Sequence, residues 1–201
     1  MENKEQKKDK KVQDALNKLI SDEWFAGNVY KQFVLLVDPM YKPQIECIML
    51  ETADDELNDH YASLVAFAEE NGYDVPSTYA EMKKHADKTD VKLFESCRKS
   101  QDSMFYLNEG VKSEERAIDT YEVYVNDNDL SCEPSLEVII KNNYYDEQQH
   151  LEDFNFAIES IQAYNKFNGG DEWHETEDDD IHHVCADVNN AWICWIYDAR
   201  M

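Results

Sequence analysis

"NNYYDEQQHLEDF", residues 142–154, sets Glu147 and His150 three residues apart within a run of helical periodicity. One helical turn separates them, so both side chains leave the same face. Such a pair is either part of a solvated surface or two ligands directed at one metal ion. The flanking residues make the segment a helix. Leu136, Ile139, Ile140, Leu151, Phe154, Ile158 and Ile161 form an apolar stripe that starts near Pro134 and ends near Phe167, before Gly169-Gly170. A helix with so broad a stripe needs apolar partners.

Three further runs supply them. Residues 12–37 carry Leu16, Leu19, Ile20, Trp24, Val29, Phe33 and Leu36, and Pro39 stops the run. A second helix is predicted from Pro43 to Gly72, burying Ile45, Ile48, Met49, Leu57, Leu64 and Phe67. A third covers roughly 102–127 and is closed by "NDNDLSCEP". Residues 73–101 read as a connection with one or two short helices. The fold expected is all-α, an antiparallel four-helix bundle made of two related hairpins. A flexible charged N-terminus (1–11) is expected before the bundle (12–167), and an acidic, then aromatic, extension (168–201) after it.

The two hairpins match at an offset of 91 residues. Glu23 maps to Glu114, Tyr30 to Tyr121, Pro43 to Pro134, Asp55 to Asp146 and Glu56 to Glu147. Glu23, Glu56, Glu114 and Glu147 therefore fall one per helix, at equivalent depths. Four carboxylates meeting in a bundle core would repel one another and lose their hydration, at prohibitive cost without compensation. Two divalent cations supply that compensation. Carboxylates with imidazoles suit a dinuclear iron or manganese site with positions open to oxygen.

"DEW" at 22–24, "SEERAIDTY" at 113–121 and "DEQQH" at 146–150 resemble the ferritin-like superfamily of carboxylate-bridged di-iron proteins, near its bacterioferritin and rubrerythrin branches. The resemblance covers about residues 12–165. It implies Glu23, Glu56, Glu114 and Glu147 as ligands of two iron ions, with manganese as the alternative, and His150 and His60 as terminal ligands. It also implies that Tyr30 and Tyr121 hydrogen-bond to ligands across the bundle. The second helix departs from the pattern: the family has Glu-x-x-His there, whereas "ELNDH" sets Glu56 four residues before His60. Three readings are open. His60 binds, aided by (i, i+4) spacing or a one-residue π-bulge; Asp59 replaces it as an alternative ligand; or that half-site is broken. Leu57 stands where haem-binding bacterioferritins place Met, so no haem is expected, and no cysteine pairs encode a rubredoxin-like relay.

Composition narrows the partners. A net charge of −25 repels phosphate backbones and disfavours nucleic acid, while it attracts cations. The one basic cluster, "KEQKKDKK" at 4–11, is short and mixed with acids. Five scattered cysteines without a CxxC indicate neither a disulfide framework nor a zinc ribbon. With no apolar signal core and no membrane-length run, a soluble cytoplasmic protein is expected. In the extension, His174, His182, His183 and Cys185 fit no metal-ligand spacing, whereas "AWICWIYDA" is an aromatic patch expected to pack on the bundle or on a partner subunit. A homo-oligomer, assembled in part through 185–201, is the corresponding expectation. The leading function is a ferroxidase- or peroxidase-type oxidoreductase that oxidises Fe(II) with oxygen or peroxide, for iron storage or oxidative-stress protection. The alternative is a ferritin-like structural or interaction module with a degenerate metal site.

Overall fold

Helix α1 spans Lys4–Leu36 and begins ahead of the start expected at residue 12. Apart from Asp9, residues 4–11 are Lys, Glu and Gln, good helix formers, and no Gly or Pro stands among them, so the turn pattern continues through the basic cluster. Lys11 then reaches Asp127, at 2.7 Å, beyond the end of a later helix. The computed structural model describes residues 4–37, 42–96, 104–127, 130, 133–167, 181–188 and 191–198; for 4–8, 42–44, 164–167 and the last two ranges it describes backbone only.

The second long rod is not one regular helix. α2 (Lys42–Asp54) passes into a π-helical turn, Asp55–His60, and resumes as α3 (Tyr61–Glu70). Gly72 ends it at φ +74°, the left-handed region that glycine enters freely. Tyr73 N–H to Ala68 and Gly72 N–H to Glu69 satisfy the last carbonyls in the manner of a Schellman motif. Two short helices follow: α4 (Tyr79–His85), started by a Thr78–Glu81 capping box, and α5 (Lys88–Ser96). α6 (Met104–Val125) and α7 (Pro134–Phe167) form the second hairpin.

Two apolar clusters sit toward opposite ends of the bundle. One holds Leu16, Ile20, Leu64, Phe67, Tyr121, Leu136 and Ile140. The other holds Val29, Phe33, Met49, Tyr106, Leu107 and Phe154. α1 and α7 run from the first to the second, whereas the α2–α3 rod and α6 run the other way. Between the clusters every rod crosses one level at which its buried residues turn polar: Glu23, then Glu56 and His60, then Glu114, then Glu147 and His150.

The connection is fastened beside this level. Phe94 of α5 and Tyr79 of α4 pack on Trp24 and Phe25 of α1, with Phe25 and Phe94 rings 5.4 Å apart. The Asp87 N–H donates to Asp22 at 2.7 Å. Close rod contact is permitted at Gly27, where a Cβ would lie 2.6 Å from Leu57. In the extension, β1 (Ile181–Val188) and β2 (Ala191–Asp198) pair antiparallel, with Cys185 opposite Cys194, and β2 runs beside α2. The helical bundle thus carries a β-hairpin. The His174, His182, His183 and Cys185 side chains, and the aromatic side chains of 192–197, lie outside the described residues. Among the described residues no helix is long and apolar enough to cross a membrane.

Candidate metal centre

Each rod delivers its polar residues because the apolar stripe on both sides of that level is already packed. Glu56, Glu114, Glu147 and His60 are 1% exposed or less, Glu23 3% and His150 5%. Ligand-capable atoms of Glu23, Glu56, His60 and Glu147 all lie within 4.8 Å of one another. So do those of Glu56, Glu114, Glu147 and His150. Glu56 and Glu147 belong to both groups, Glu23 and His60 to one, and Glu114 and His150 to the other.

The imidazoles repeat the two-fold pattern. His60 Nδ1 faces Glu56 at 3.2 Å, Glu147 at 3.4 Å and Glu23 at 3.6 Å. His150 Nδ1 faces Glu56 at 3.6 Å, Glu114 at 3.7 Å and Glu147 at 3.8 Å. Outward, His60 Nε2 lies 3.4 Å from Asp146, and His150 Nε2 lies 3.2 Å from Asp55. Each histidine is thus backed by the acid that precedes the glutamate of the opposite hairpin. Such outer carboxylates set the ring orientation and raise its basicity. The tyrosines exchange partners too: Tyr30 of α1 donates to Glu114 of α6, and Tyr121 of α6 donates to Glu23 of α1. Asn143 Nδ2 supports Tyr121 at 2.9 Å.

No protein-family model matches the chain, and no curated protein matches it. A solved structure does. The dodecameric thioferritin of Bacteroides fragilis, a bacterioferritin-related protein, matches with a TM-score of 0.64 over 79% of this chain and 90% of that one, at 20% identity. The fold is ferritin-like.

The ferritin-like bundle accounts for the spacing in "ELNDH". A π-helical turn holds one residue more than an α-helical turn of the same rise, so residues four apart stand where residues three apart stand in α7. His60 is brought beside Glu56 as His150 is beside Glu147. Asp59, the alternative ligand, is instead turned to the exposed surface by the same turn.

Electrostatics show what these groups lack. Burial, then repulsion from Glu147, pushes the Glu114 carboxyl up to about 8. Burial, then Glu147 and Glu23, also raises Glu56 well above its ordinary range. Burial opposes charge on both imidazoles, yet the surrounding carboxylates, beginning with Asp146 for His60 and Asp55 for His150, raise them well above the usual histidine range. Burial likewise opposes charge on Glu147, but His150 and His60 outweigh it and hold its carboxyl below the usual range. Both Glu147 oxygens, Glu114 Oε2 and His150 Nδ1 are nevertheless buried without a hydrogen-bond partner among the described residues. Unsatisfied buried carboxylate oxygens are expensive, and a set of carboxylates with imidazoles is a donor set that could hold a divalent cation.

Proposed function

We propose that the protein holds two divalent metal ions between its helices and oxidises Fe(II) with oxygen or peroxide. The observation that carries this reading is Glu147: fully buried, flanked by two imidazoles, and with neither oxygen hydrogen-bonded. Glu23 and His60 would hold one ion, Glu114 and His150 the other, and Glu56 and Glu147 would bridge them. Two such ions, when bound, would supply redox chemistry that side chains lack.

The chain's own residues provide the setting. The apolar clusters pack on both sides of the ligand level. Tyr30 and Tyr121 each occupy one oxygen of a terminal carboxylate, which leaves the other oxygen to point inward. Asp55 hydrogen-bonds the outer nitrogen of His150, and Asp146 lies 3.4 Å from that of His60, so in both rings Nδ1 is the inward ligand atom. Before ions bind, protons on the glutamates and histidines offset part of the mutual repulsion; binding would release them.

Assembly into a homo-oligomer belongs to the same reading, since the similar thioferritin is dodecameric. Iron storage and removal of peroxide both follow from this chemistry. The test is Fe(II) added anaerobically, about two per chain, followed by air. Wild type is expected to oxidise the bound iron at least tenfold faster than Glu147→Ala. Equal rates in the two proteins would reject the assignment and leave a ferritin-like scaffold.

A further inference from the structure

A cavity of about 30 Å³ lies where α1, α5 and α6 meet. That is room for one or two waters. Its inner wall is formed by Glu23, Glu114 and Glu147, and its outer wall by Asp87, Asp90 and Arg116. The inner groups are almost fully buried, and three of their oxygens have no hydrogen-bond partner among the described residues. Asp87 and Arg116 are half-buried, so the cavity joins the ligand level to the protein's outer face. Asp90, only 6% exposed, accepts from Arg116 and, at 3.3 Å, from Ser113. This ion pair bridges α5 to α6 across the cavity wall.

We infer that this cavity is the port through which divalent cations reach the buried centre, with Asp90 as a transit ligand held in check by Arg116. The inference rests on the metal-centre reading above. A dehydrating cation needs anionic oxygen along its path, and a descending series of carboxylates concentrates it. Asp87 meets it at the partly exposed mouth, Asp90 inside, and Glu114 or Glu147 at the end. Among the described residues that line the cavity, Arg116 is the one cation. While paired, it cancels the attraction of Asp90; when an incoming ion takes over the Asp90 oxygen, the guanidinium is released toward solvent. The connection that carries α5 therefore does more than join two hairpins: it contributes Asp87 and Asp90 to the port.

Electrostatic control makes a prediction that structural damage does not. Asp90→Asn leaves Arg116 unpaired at the port, and Arg116→Gln leaves Asp90 unpaired, so the two changes must act with opposite sign. Stopped-flow uptake of Co(II), followed by its visible absorption, reads the entry rate without redox turnover. The expected result is uptake at least fivefold slower in Asp90→Asn and at least twofold faster in Arg116→Gln, with about two ions per chain in both at equilibrium. The difference should shrink as added salt screens the charges. Ala117→Val adds uncharged bulk to the cavity wall and should slow entry, which keeps the test open if a charge variant fails to fold. Unchanged rates, or a shift of both charge variants in the same direction, would overturn the port. Failure of wild type itself to take up Co(II) at a buried site would instead overturn the metal-centre reading, and the port with it.

Discussion

Glu147 and His150 stand one turn apart on α7, and the reason lies in the opposite hairpin. His150 completes a set with Glu56 and Glu114, while its outer nitrogen meets Asp55. His60 is the mirror case, backed by Asp146. Removing one outer acid should therefore weaken one half-site selectively. Asp146→Asn is expected to lower affinity for one of the two ions by about tenfold and leave the other within a factor of two, measured by calorimetric Mn(II) titration. Equal loss at both ions, or none, would count against the backing role. The 91-residue offset put the four glutamates in register in the sequence, but it set Asp59 rather than His60 opposite His150, so the two histidines were read from their spacing to Glu56 and Glu147. The same offset paired Asp55 with Asp146, yet their role was missed. Both are about half exposed, at 48% and 59% of the side chain, and in so acidic a chain such residues look like a solvated face. Asn143 on Tyr121, and the Asp90–Arg116 pair, carried no repeating signal at all.

Among the elements, long helices and short connecting helices could be read from stripes and breakers, since burial of a face imposes its period. The extent of α1 could not be, because residues 4–11 have helix propensity but no apolar face to announce it. The π-helical turn was half visible: a four-residue Glu–His spacing signalled an irregularity, but the backbone hydrogen-bond pattern is settled by packing of Glu56 and His60 on the other rods. This gives a prediction. Deleting Asn58, exposed in the turn, restores an α-helical Glu-x-x-His while keeping α3 in register. Thermal stability and metal stoichiometry should match wild type. Deleting Asn142, exposed in regular α7, has no turn to absorb it and rotates one end of that helix by about 100°. It is expected to lose several kcal/mol through misplaced Leu, Ile and Phe side chains. Two deletions equally damaging in a thermal melt would mean that the turn is not an insertion in the α-helical pattern.

For the whole molecule, the centre makes stability depend on pH and metal together. In the metal-free protein Glu56, Glu114, His60 and His150 all bind protons more tightly than their ordinary values of 4.5 and 6.5. Groups raised in the folded state stabilise it at low pH and lose that contribution as pH rises through the folded value. Glu147, shifted the other way, contributes fully above 4.5 and adds no slope beyond it. The melting temperature of metal-free protein should thus fall between pH 6 and 8.5 by at least about 3 °C, roughly 1 kcal/mol for a chain of this size. With Mn(II) present the trend should reverse, because cations then replace the protons. A flat metal-free profile would contradict the account of these pKa shifts.

In the function proposed above, two cations hold four carboxylates together between the helices. Anomalous diffraction from crystals grown anaerobically with Mn(II) tests it most directly. Two strong peaks are expected inside the bundle, one beside Glu23 and His60 and one beside Glu114 and His150, with Glu56 and Glu147 between them. Peaks confined to surface acids, with the buried level empty, would contradict it.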